Sequence, residues 1–462
     1  MKQESRVAAE VEKSKAGKQP AAPRRKLLIL SLIFCTALGV RLLNWQAARK
    51  EAFAVQYRVA LNYKHLASLI RANGLSSLYD ASSSTSNPDL LGHPPGYPIL
   101  LSFVYRVAPD SDSATQLLQI IFDSLSAIII VLIAFELFPG PIGIIAGFMA
   151  ALAPQFSWNS LLLLPDSLAA LPILLAVLLI TKTRRQTNYS NVSILAAGML
   201  VGVSVWLRAN SILLAPFLTL LFLFIHKPGA RLRPALMVLC GALLIVGPLT
   251  FRNAVVYRKF IPVSLGAGQT LIEGIADYNS DGSLGLPQTD MELIRREAEA
   301  FHRPDYANSL FTPDGIERDR TRLAWGFAVI RAHPIWFASV MMRRAASMLR
   351  LERTPLRLAP TNSGSWQTLF QWPLQAVQKI FITAIFLPLF LTGAGILVYQ
   401  RQFQNLAMLL IVPCYYFCTQ SALHTEYRYV LVIDYFLFVL AAVGLYTIAY
   451  RIKENFLTRL DT

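Results

Sequence analysis

Residues 116–137 have the sequence QLLQIIFDSLSAIIIVLIAFEL, an apolar run broken by only a few polar residues. At about 1.5 Å of rise per residue, a helix of about 20 residues crosses the roughly 30 Å of hydrocarbon in a bilayer. A run of this length and composition is typical of a transmembrane helix, and the chain contains several more. The sequence therefore predicts an all-α polytopic membrane protein.

The composition supports this prediction, since 54% of the 462 residues are hydrophobic and only 15% are charged. A soluble protein would carry about a quarter charged residues. The net charge is +16, but much of the excess lies in short stretches between apolar runs, where positive charge sets membrane orientation. We expect these charges to set membrane orientation and to contact lipid headgroups, and not to bind nucleic acid.

The chain is predicted to begin with a cytoplasmic tail, because residues 1–26 are polar and rich in Lys, Ala and Pro. Such a composition favours disorder. The tail ends in Arg24, Arg25 and Lys26, directly before the first apolar run. A cleaved signal peptide is the alternative. No small-residue cleavage site follows the run, which favours a retained signal anchor.

About ten transmembrane helices are predicted from the apolar runs. With the tail inside, the basic intervals at 182–185, 227–233 and 401 and the C-terminal tail 451–462 all fall in the cytoplasm, as the positive-inside rule requires. The spans at 141–155 and 193–207 are short enough to be tilted or re-entrant instead. The predicted spans are 27–45, 116–137, 141–155, 159–180, 193–207, 210–226, 235–250, 376–399, 405–420 and 428–450.

This layout places two large loops on the outer side. The first, 46–115, belongs to a membrane core of residues 27–250 that is predicted to be catalytic. The second, 251–375, contains turn signals, a helix with Asp314 as its N-cap, and an aromatic and basic stretch from Pro334 that predicts an interfacial helix. Residues 376–450 form the C-terminal membrane helices.

Polar residues gather at the predicted outer ends of the spans. An idle charge in lipid costs several kcal/mol, so such residues are functional candidates. One acid with several arginines suits an anionic, lipid-linked substrate. The planar guanidinium group of arginine can donate two parallel hydrogen bonds to a phosphate. The alternatives are that a lone arginine anchors to headgroups and that Glu426 and Arg428 only pair with each other. The candidates are Arg41, Asp166, Arg208, Arg252, Glu426 and Arg428.

Other acids have simpler explanations. Asp123 and Asp434 lie deep in their spans and are interpreted as hydrogen-bonded structural groups. Asp110 and Asp112 match a D-x-D metal pattern by spacing, but they directly precede a span, where acidic helix caps are common. We therefore predict no metal site at Asp110 and Asp112.

Four motifs carry a resemblance to a known family. Gly92-His-Pro-Pro-Gly-Tyr-Pro98 resembles the PP-x-x-P region of bacterial family 39-like glycosyltransferases, which include protein O-mannosyltransferases, lipid A aminoarabinose transferases and RgtA/B/C/D-like proteins. Residues 248–264 are similar to that family's stretch after the seventh span. Glu426-Tyr-Arg-Tyr-Val430 resembles its E-x-R-Y pattern, and Asp166 its acid after the third span.

The resemblance extends over most of residues 27–450 and implies a GT-C fold. It also implies a transferase that moves a sugar, with inversion, from a polyprenyl-phosphate carrier to an envelope lipid, glycan or protein on the outer face of the bacterial plasma membrane. No cofactor is expected, and a divalent metal stays open. Arg252, Arg428, Arg208 and Arg41 would bind the lipid phosphate, and His93, Glu426 and Tyr429 would line the substrate pocket.

The general base is the uncertain element, because Asn62 stands where this family carries an acid early in the first outer loop. An amide cannot accept the proton. The remaining candidates, in order, are Asp166, Asp89, Asp80 and Glu51. If none serves, the chain is a non-catalytic assembly partner with the same fold. A transporter or flippase of a lipid-linked saccharide is the other alternative, but it would more often show polar residues through its spans and paired halves.

Overall fold

A computed structural model describes residues 23–55, 57–79, 92–184, 190–311, 314–352 and 365–460. All regular secondary structure within these ranges is helical, as predicted. The helices are α1 Pro23–Ala54, α2 Tyr57–Asn73, α3 Gly96–Val107, α4 Asp112–Leu137, α5 Gly140–Leu152, α6 Pro154–Asn159, α7 Asp166–Thr183, α8 Asn191–Leu207, α9 Leu214–Thr219, α10 Leu221–Ile225, α11 Leu232–Tyr257, α12 Ala267–Ala276, α13 Asp290–Ala300, α14 Gly315–Ala332, α15 Pro334–Met348, α16 Ser365–Gln378, α17 Thr383–Tyr399, α18 Phe403–Thr419 and α19 Val432–Leu460.

Five of the described helices (or stretches of them) are long and apolar enough to cross a membrane: 24–54, 112–137, 166–183, 228–257 and 432–454. Two bent helix pairs raise the number to at most 7. The short predicted spans 141–155 and 193–207 correspond to α5 and α8, which are apolar but shorter than a full span. The multi-pass architecture is confirmed, and the count of ten stays a prediction.

Two predicted spans differ in detail. The span predicted at 159–180 begins only at Asp166, because α6 and a buried irregular stretch precede it. Gln116 and Gln119 on α4 donate amide hydrogen bonds to backbone carbonyls of residues 160–162, which satisfies that non-helical backbone. The span predicted at 210–226 is divided into the short helices α9 and α10.

Close packing in the bundle depends on small residues. At Gly393 on α17, an added Cβ would lie 1.9 Å from the carbonyl oxygen of Leu440 on α19. Only glycine permits this approach of two helix backbones, the usual way in which membrane helices pack without a hydrophobic driving force. Beside it, Phe438 packs against the rings of Phe381, Phe386 and Phe390.

The geometry does not support the predicted role of Arg41 in binding lipid phosphate, because its guanidinium is fully buried inside the bundle and directed at protein groups. Its Nε lies 2.6 Å from the carboxylate of Asp123, and Nη1 donates to the carbonyl of Ala37. Tyr435 donates to the other oxygen of Asp123. The structural interpretation of Asp123 is thereby confirmed, and that of Asp434 also, since it accepts a hydrogen bond from Gln155.

Helices α12 to α15 form a loop-side layer, so named because they belong to the second long loop. Its centre is Glu297, fully buried, whose carboxylate accepts from both Arg318 and Arg322. Asp319 accepts backbone N–H groups of Gly266 and Gly268 at the start of α12, where a carboxylate is favoured. These charged contacts hold α12, α13 and α14 together.

Two expectations for this layer need refinement. Asp314 directly precedes α14, as predicted, but its side chain makes no capping bond and instead accepts from Tyr306. Helix α15 begins at Pro334, bends 106° from α14 and exposes Ile335 and Met342, features that suit an interfacial helix. Arg344 of the same helix is buried and contacts protein groups, so it is not a headgroup anchor.

Candidate functional site

Three separate chain segments bring an acid and two arginines together. Asp166 is the first residue of α7, Arg208 directly follows α8, and Arg428 lies in the short 3₁₀ helix Tyr427–Val430 that leads into α19. All three positions are helix ends at the same side of the bundle. The first turn of a helix also favours a carboxylate, because its free N–H groups carry partial positive charge.

The geometry shows that Asp166 is held between the two arginines. Its Oδ1 lies 3.1 Å from Nε of Arg208, and its Oδ2 lies 3.6 Å from Nη1 of Arg428. The other edge of Arg428 forms a fork on Glu426, at 2.7 and 2.9 Å. The Tyr429 ring lies under both guanidinium groups, 4.0 Å from Arg208 and 4.9 Å from Arg428.

Hydrogen-bonding capacity is left over at the centre of this cluster. Both carboxylate oxygens of Asp166 are ion-paired, but neither accepts a well-directed hydrogen bond and Nη1 of Arg428 donates none, although all three atoms are buried. Buried polar atoms are normally satisfied, so the cluster is suited to a polar ligand. These atoms face a cavity lined by Asp166, Ala169, Ala170, Ile173, Arg208, Asn210, Tyr416, Arg428, Tyr429, Leu431 and Val432.

An aromatic wall adjoins the cluster. The ring of Tyr63 on α2 lies 4.8 Å from that of His93 and 5.0 Å from that of Tyr97. Tyr97 is fixed by donating to Gln119 at 2.7 Å. Burial, and the positive charges of Arg208 and Arg428, lower the pKa of His93 to about 4. His93 is therefore a neutral imidazole at physiological pH, able to accept or donate a hydrogen bond.

Five of the predicted site residues thus meet in one cluster: Asp166, Arg208, Glu426, Arg428 and Tyr429. His93 lies beside them, close enough for both arginines to act on its pKa.

The other candidates lie elsewhere. Arg252 donates to the carbonyl of Leu78 and to the side chain of Asn253, and stacks on Tyr257. It does not line the cavity, so the geometry does not support its predicted phosphate role. Glu51 is exposed near the end of α1 and does not line the cavity either. Asp80 and Asp89 lie outside the described residues.

The sequence-based reasoning missed Tyr63, Asn210 and Tyr416. Tyr63 is buried on α2, whereas its neighbour Asn62 is exposed, because one residue along a helix rotates the side chain by about 100°. Asn210 donates to the backbone carbonyl of Tyr429 and so holds the 3₁₀ helix in place. A helical projection of residues 57–73 would have found Tyr63; no sequence signal marks Asn210.

The D-x-D acids form ion pairs. Asp112 lies 2.7 Å from Lys64, and Asp110 lies 3.5 Å from Arg71. Among the described residues, no group of three or more His, Cys, Asp or Glu side chains could hold a metal ion.

Part of the chain, including two residues of this site, matches a known protein family. Residues 92–250 match the family described as dolichyl-phosphate-mannose-protein mannosyltransferase. This stretch includes Asp166, Arg208 and the PP-x-x-P motif, and the match confirms the resemblance to membrane glycosyltransferases. No curated protein sequence matches the chain.

Solved structures share the fold. The archaeal oligosaccharyltransferase AglB from Archaeoglobus fulgidus, in complex with an inhibitory peptide and a dolichol-phosphate, matches with a TM-score of 0.52 and 16% identity. The match covers 93% of this chain and 51% of AglB, so the chain spans about half the length of that enzyme. ArnT from Cupriavidus metallidurans, bound to undecaprenyl phosphate, is more distant, with a TM-score of 0.39, 14% identity and coverage of 92% and 77%. The AglB match shows that this chain has the GT-C fold.

Proposed function

Since residues 92–250 match a membrane mannosyltransferase family, we propose that this protein is a glycosyltransferase that uses a polyprenyl-phosphate sugar. Its acceptor is an envelope lipid, glycan or protein, and transfer occurs on the outer face of a bacterial plasma membrane. The carrying observation is Asp166 between Arg208 and Arg428, where all three residues line one cavity and retain hydrogen-bonding capacity.

The arrangement supports this reaction in a simple way. An acceptor oxygen attacks the anomeric carbon, the bond from that carbon to the phosphate oxygen breaks, and configuration inverts. The departing polyprenyl phosphate carries the bond's electrons, and Arg208 and Arg428 stabilise that charge. As the arginines turn to the phosphate, the carboxylate of Asp166 is released to accept the acceptor's proton.

Neighbouring groups support both halves of the substrate. AglB, which shares the fold, was solved with a dolichol-phosphate, a lipid of the proposed carrier class. Ala169, Ala170 and Ile173 of α7 supply the apolar part of the cavity lining. Neutral His93 and Tyr63 lie beside the two arginines but do not line the cavity, and we assign them to the sugar end of the substrate, next to the phosphate. The proposal needs no organic cofactor, and an activity assay with a chelator tests for a divalent ion.

The direct test is a deletion strain analysed by mass spectrometry of carrier lipids and envelope glycans. We expect the intact lipid-linked sugar to accumulate and one glycan to lose a residue, and the wild-type gene to reverse both. If glycans lose whole saccharide units and the carrier stays on the cytoplasmic leaflet, the transporter alternative replaces the proposal. No change in either pool favours a non-catalytic partner.

Orientation is the first prediction. Replacing Ser283, exposed in the loop-side layer, with cysteine should give labelling by a membrane-impermeant thiol reagent in intact spheroplasts. The positive-inside rule places residue 229 on the opposite side. Gly229→Cys, at an exposed position with open space around it, should be labelled only after permeabilisation. The four native cysteines, all free, are replaced by alanine first. The reverse labelling pattern would place the site in the cytoplasm.

The second prediction concerns the arginine forks. Arg208→Lys and Arg428→Lys keep the charge but lose the planar fork, so each should lower transfer by about a hundredfold, the effect of removing one donor to a developing oxyanion. The matched control is Arg320→Lys, exposed on α14 and outside the cavity, which should transfer normally. Arg252→Lys should retain most of the transfer activity. A loss of activity as large as that of Arg428→Lys would instead support the predicted phosphate role of Arg252. Unchanged transfer in both cavity variants would contradict the phosphate role.

A further inference from the structure

The segment between α18 and α19 carries half of the site but little regular structure of its own. Glu426, Arg428 and Tyr429 lie within it, between the short 3₁₀ helices Gln420–Ala422 and Tyr427–Val430. Short-range hydrogen bonds fix parts of it, such as Thr425 to the carbonyl of Gln420 and Arg428 to Glu426. Its first half, residues 420–424, also contacts the loop-side layer, so the position of Arg428 at Asp166 depends in part on where that layer holds the segment.

The loop-side layer contacts the backbone of this segment. The N–H of His424 donates to the carbonyl of Thr270 on α12 at 2.7 Å. One turn further along α12, a Cβ added to Gly274 would lie 2.5 Å from the nitrogen of His424, so only glycine allows this contact. Arg344 of α15 donates to the carbonyl of Ser421 at 2.7 Å and also to that of Gly274.

A single carboxylate connects these contacts. Nδ1 of His424 lies 2.9 Å from Oδ2 of Asp277, at the end of α12, and Nη2 of Arg344 lies 3.6 Å from the same oxygen. Arg344 is almost fully buried. Asp277 thus joins a side chain of the site-bearing segment to an arginine that already holds that segment's backbone.

We infer that His424, Asp277 and Arg344 form a latch that docks the loop-side layer on residues 420–430 and so positions Arg428 against Asp166. These are positioning residues, four or more positions from Arg428 in sequence or on other helices, and they act through the backbone. The inference rests on the proposed function only for its effect on substrate. The latch itself is a property of the fold.

The charges around His424 give the latch a pH dependence. The hydrogen bond to Asp277 raises the pKa of His424, burial opposes the shift, and Glu273 and Glu426 add to it. Arg344 faces Asp277 from α15, and Glu273, whose own pKa is raised by burial and by Asp290, faces His424 from α12. Since the folded-state pKa of His424 is raised, the latch is complete below its ordinary value of about 6.5 and weakens as pH rises through the higher value.

Hydrogen exchange of the full chain in lipid nanodiscs tests the latch without reference to activity. Peptides covering 420–430 should be protected in the wild type, and protection should fall with rising pH after correction for the intrinsic rate. His424→Gln, which keeps a hydrogen-bonding side chain and removes the charge, should reduce this pH step, and His424→Gln with Glu273→Gln should abolish it, because the pKa of Glu273 is also raised. Asp277→Asn should move the step to lower pH. Glu299→Gln, at an exposed ion pair of the same layer, is the control and should match the wild type.

The second readout is binding of undecaprenyl phosphate, which should weaken about tenfold in His424→Gln and Asp277→Asn, a size usual for residues that couple two sites. Unchanged exchange of 420–430 in both variants, or a wild type without a pH step, overturns the latch. If the step is present but the wild type neither binds undecaprenyl phosphate nor transfers sugar, the latch stands and the proposed function fails.

Discussion

Asp166→Asn is expected to lower sugar transfer by about 10²- to 10⁴-fold, the contribution of a positioned general base. The variant keeps the shape of the side chain and removes its basicity. It also removes the negative charge from between two arginines, both within 3.6 Å of it. Because these arginines remain to attract phosphate, binding of undecaprenyl phosphate should be kept or strengthened while transfer is lost. Retained carrier binding together with lost transfer is the result expected for a general base, or for a group that orients one.

The control for this variant is Asp112→Asn. Asp112 is also the first residue of a helix and also pairs with a cation, Lys64 at 2.7 Å, but it does not line the cavity. We expect near-normal transfer from it. Transfer is measured with purified protein and carrier lipids from the deletion strain. If Asp166→Asn transfers as well as the control, Asp166 is not the base, and Asp89 and Asp80 become the next candidates.

The sequence was sufficient to predict the fold class and to single out residues that meet in the candidate site. Long apolar runs predict helices from physical length alone, and an acid or arginine at the end of such a run needs a partner or a ligand. Asp166, Arg208 and Arg428 were identified in this way, and the structure brings them together. The reasoning succeeds here because a bundle collects the ends of its helices at two surfaces, so residues at the same predicted end have a high chance of contact.

The same reasoning did not reveal the surroundings of Arg41, because position along a span gives depth in the membrane but not the direction of the side chain. Arg41 points into the bundle toward Asp123. Arg252 shows the same limit, since it faces the backbone of the first long loop. Tyr63 was missed for a related reason: the family's acid position drew attention to Asn62, whose side chain points to the other side of α2.

Contacts between distant segments were beyond the sequence altogether. His424 and Asp277 are 147 residues apart, and neither residue type nor spacing predicts their hydrogen bond. Residues 160–165 are mostly leucine, yet they form irregular backbone. Pro165 disfavours helix at the residue before it, and glutamines of α4 bind the carbonyls of residues 160–162, which the local sequence does not show. A local sequence pattern does not show which backbone groups will bind a side chain on another helix.

The structural reading of Arg41 makes a prediction that separates stability from function. Asp123→Asn should lower the free energy of unfolding by about 3–5 kcal/mol, because it leaves a buried guanidinium without its counter-charge. Replacing the whole group with apolar side chains of similar volume, Arg41→Met with Asp123→Leu and Tyr435→Phe, removes the unpaired charge and every side chain that depended on it. Such replacements are often neutral or stabilising, so this triple variant should recover most of the loss in a thermal unfolding assay in detergent.

Transfer by the triple variant then decides what Arg41 does. Its guanidinium is fully buried and donates to Asp123 and to the carbonyls of Ala37 and Ala151, which leaves no edge directed at the cavity between α7 and α19. We therefore expect the triple variant to transfer sugar at close to the wild-type rate once it is folded. A well-folded triple variant that no longer binds undecaprenyl phosphate would restore Arg41 as a phosphate ligand. That result would require the ion pair with Asp123 to open when the carrier binds.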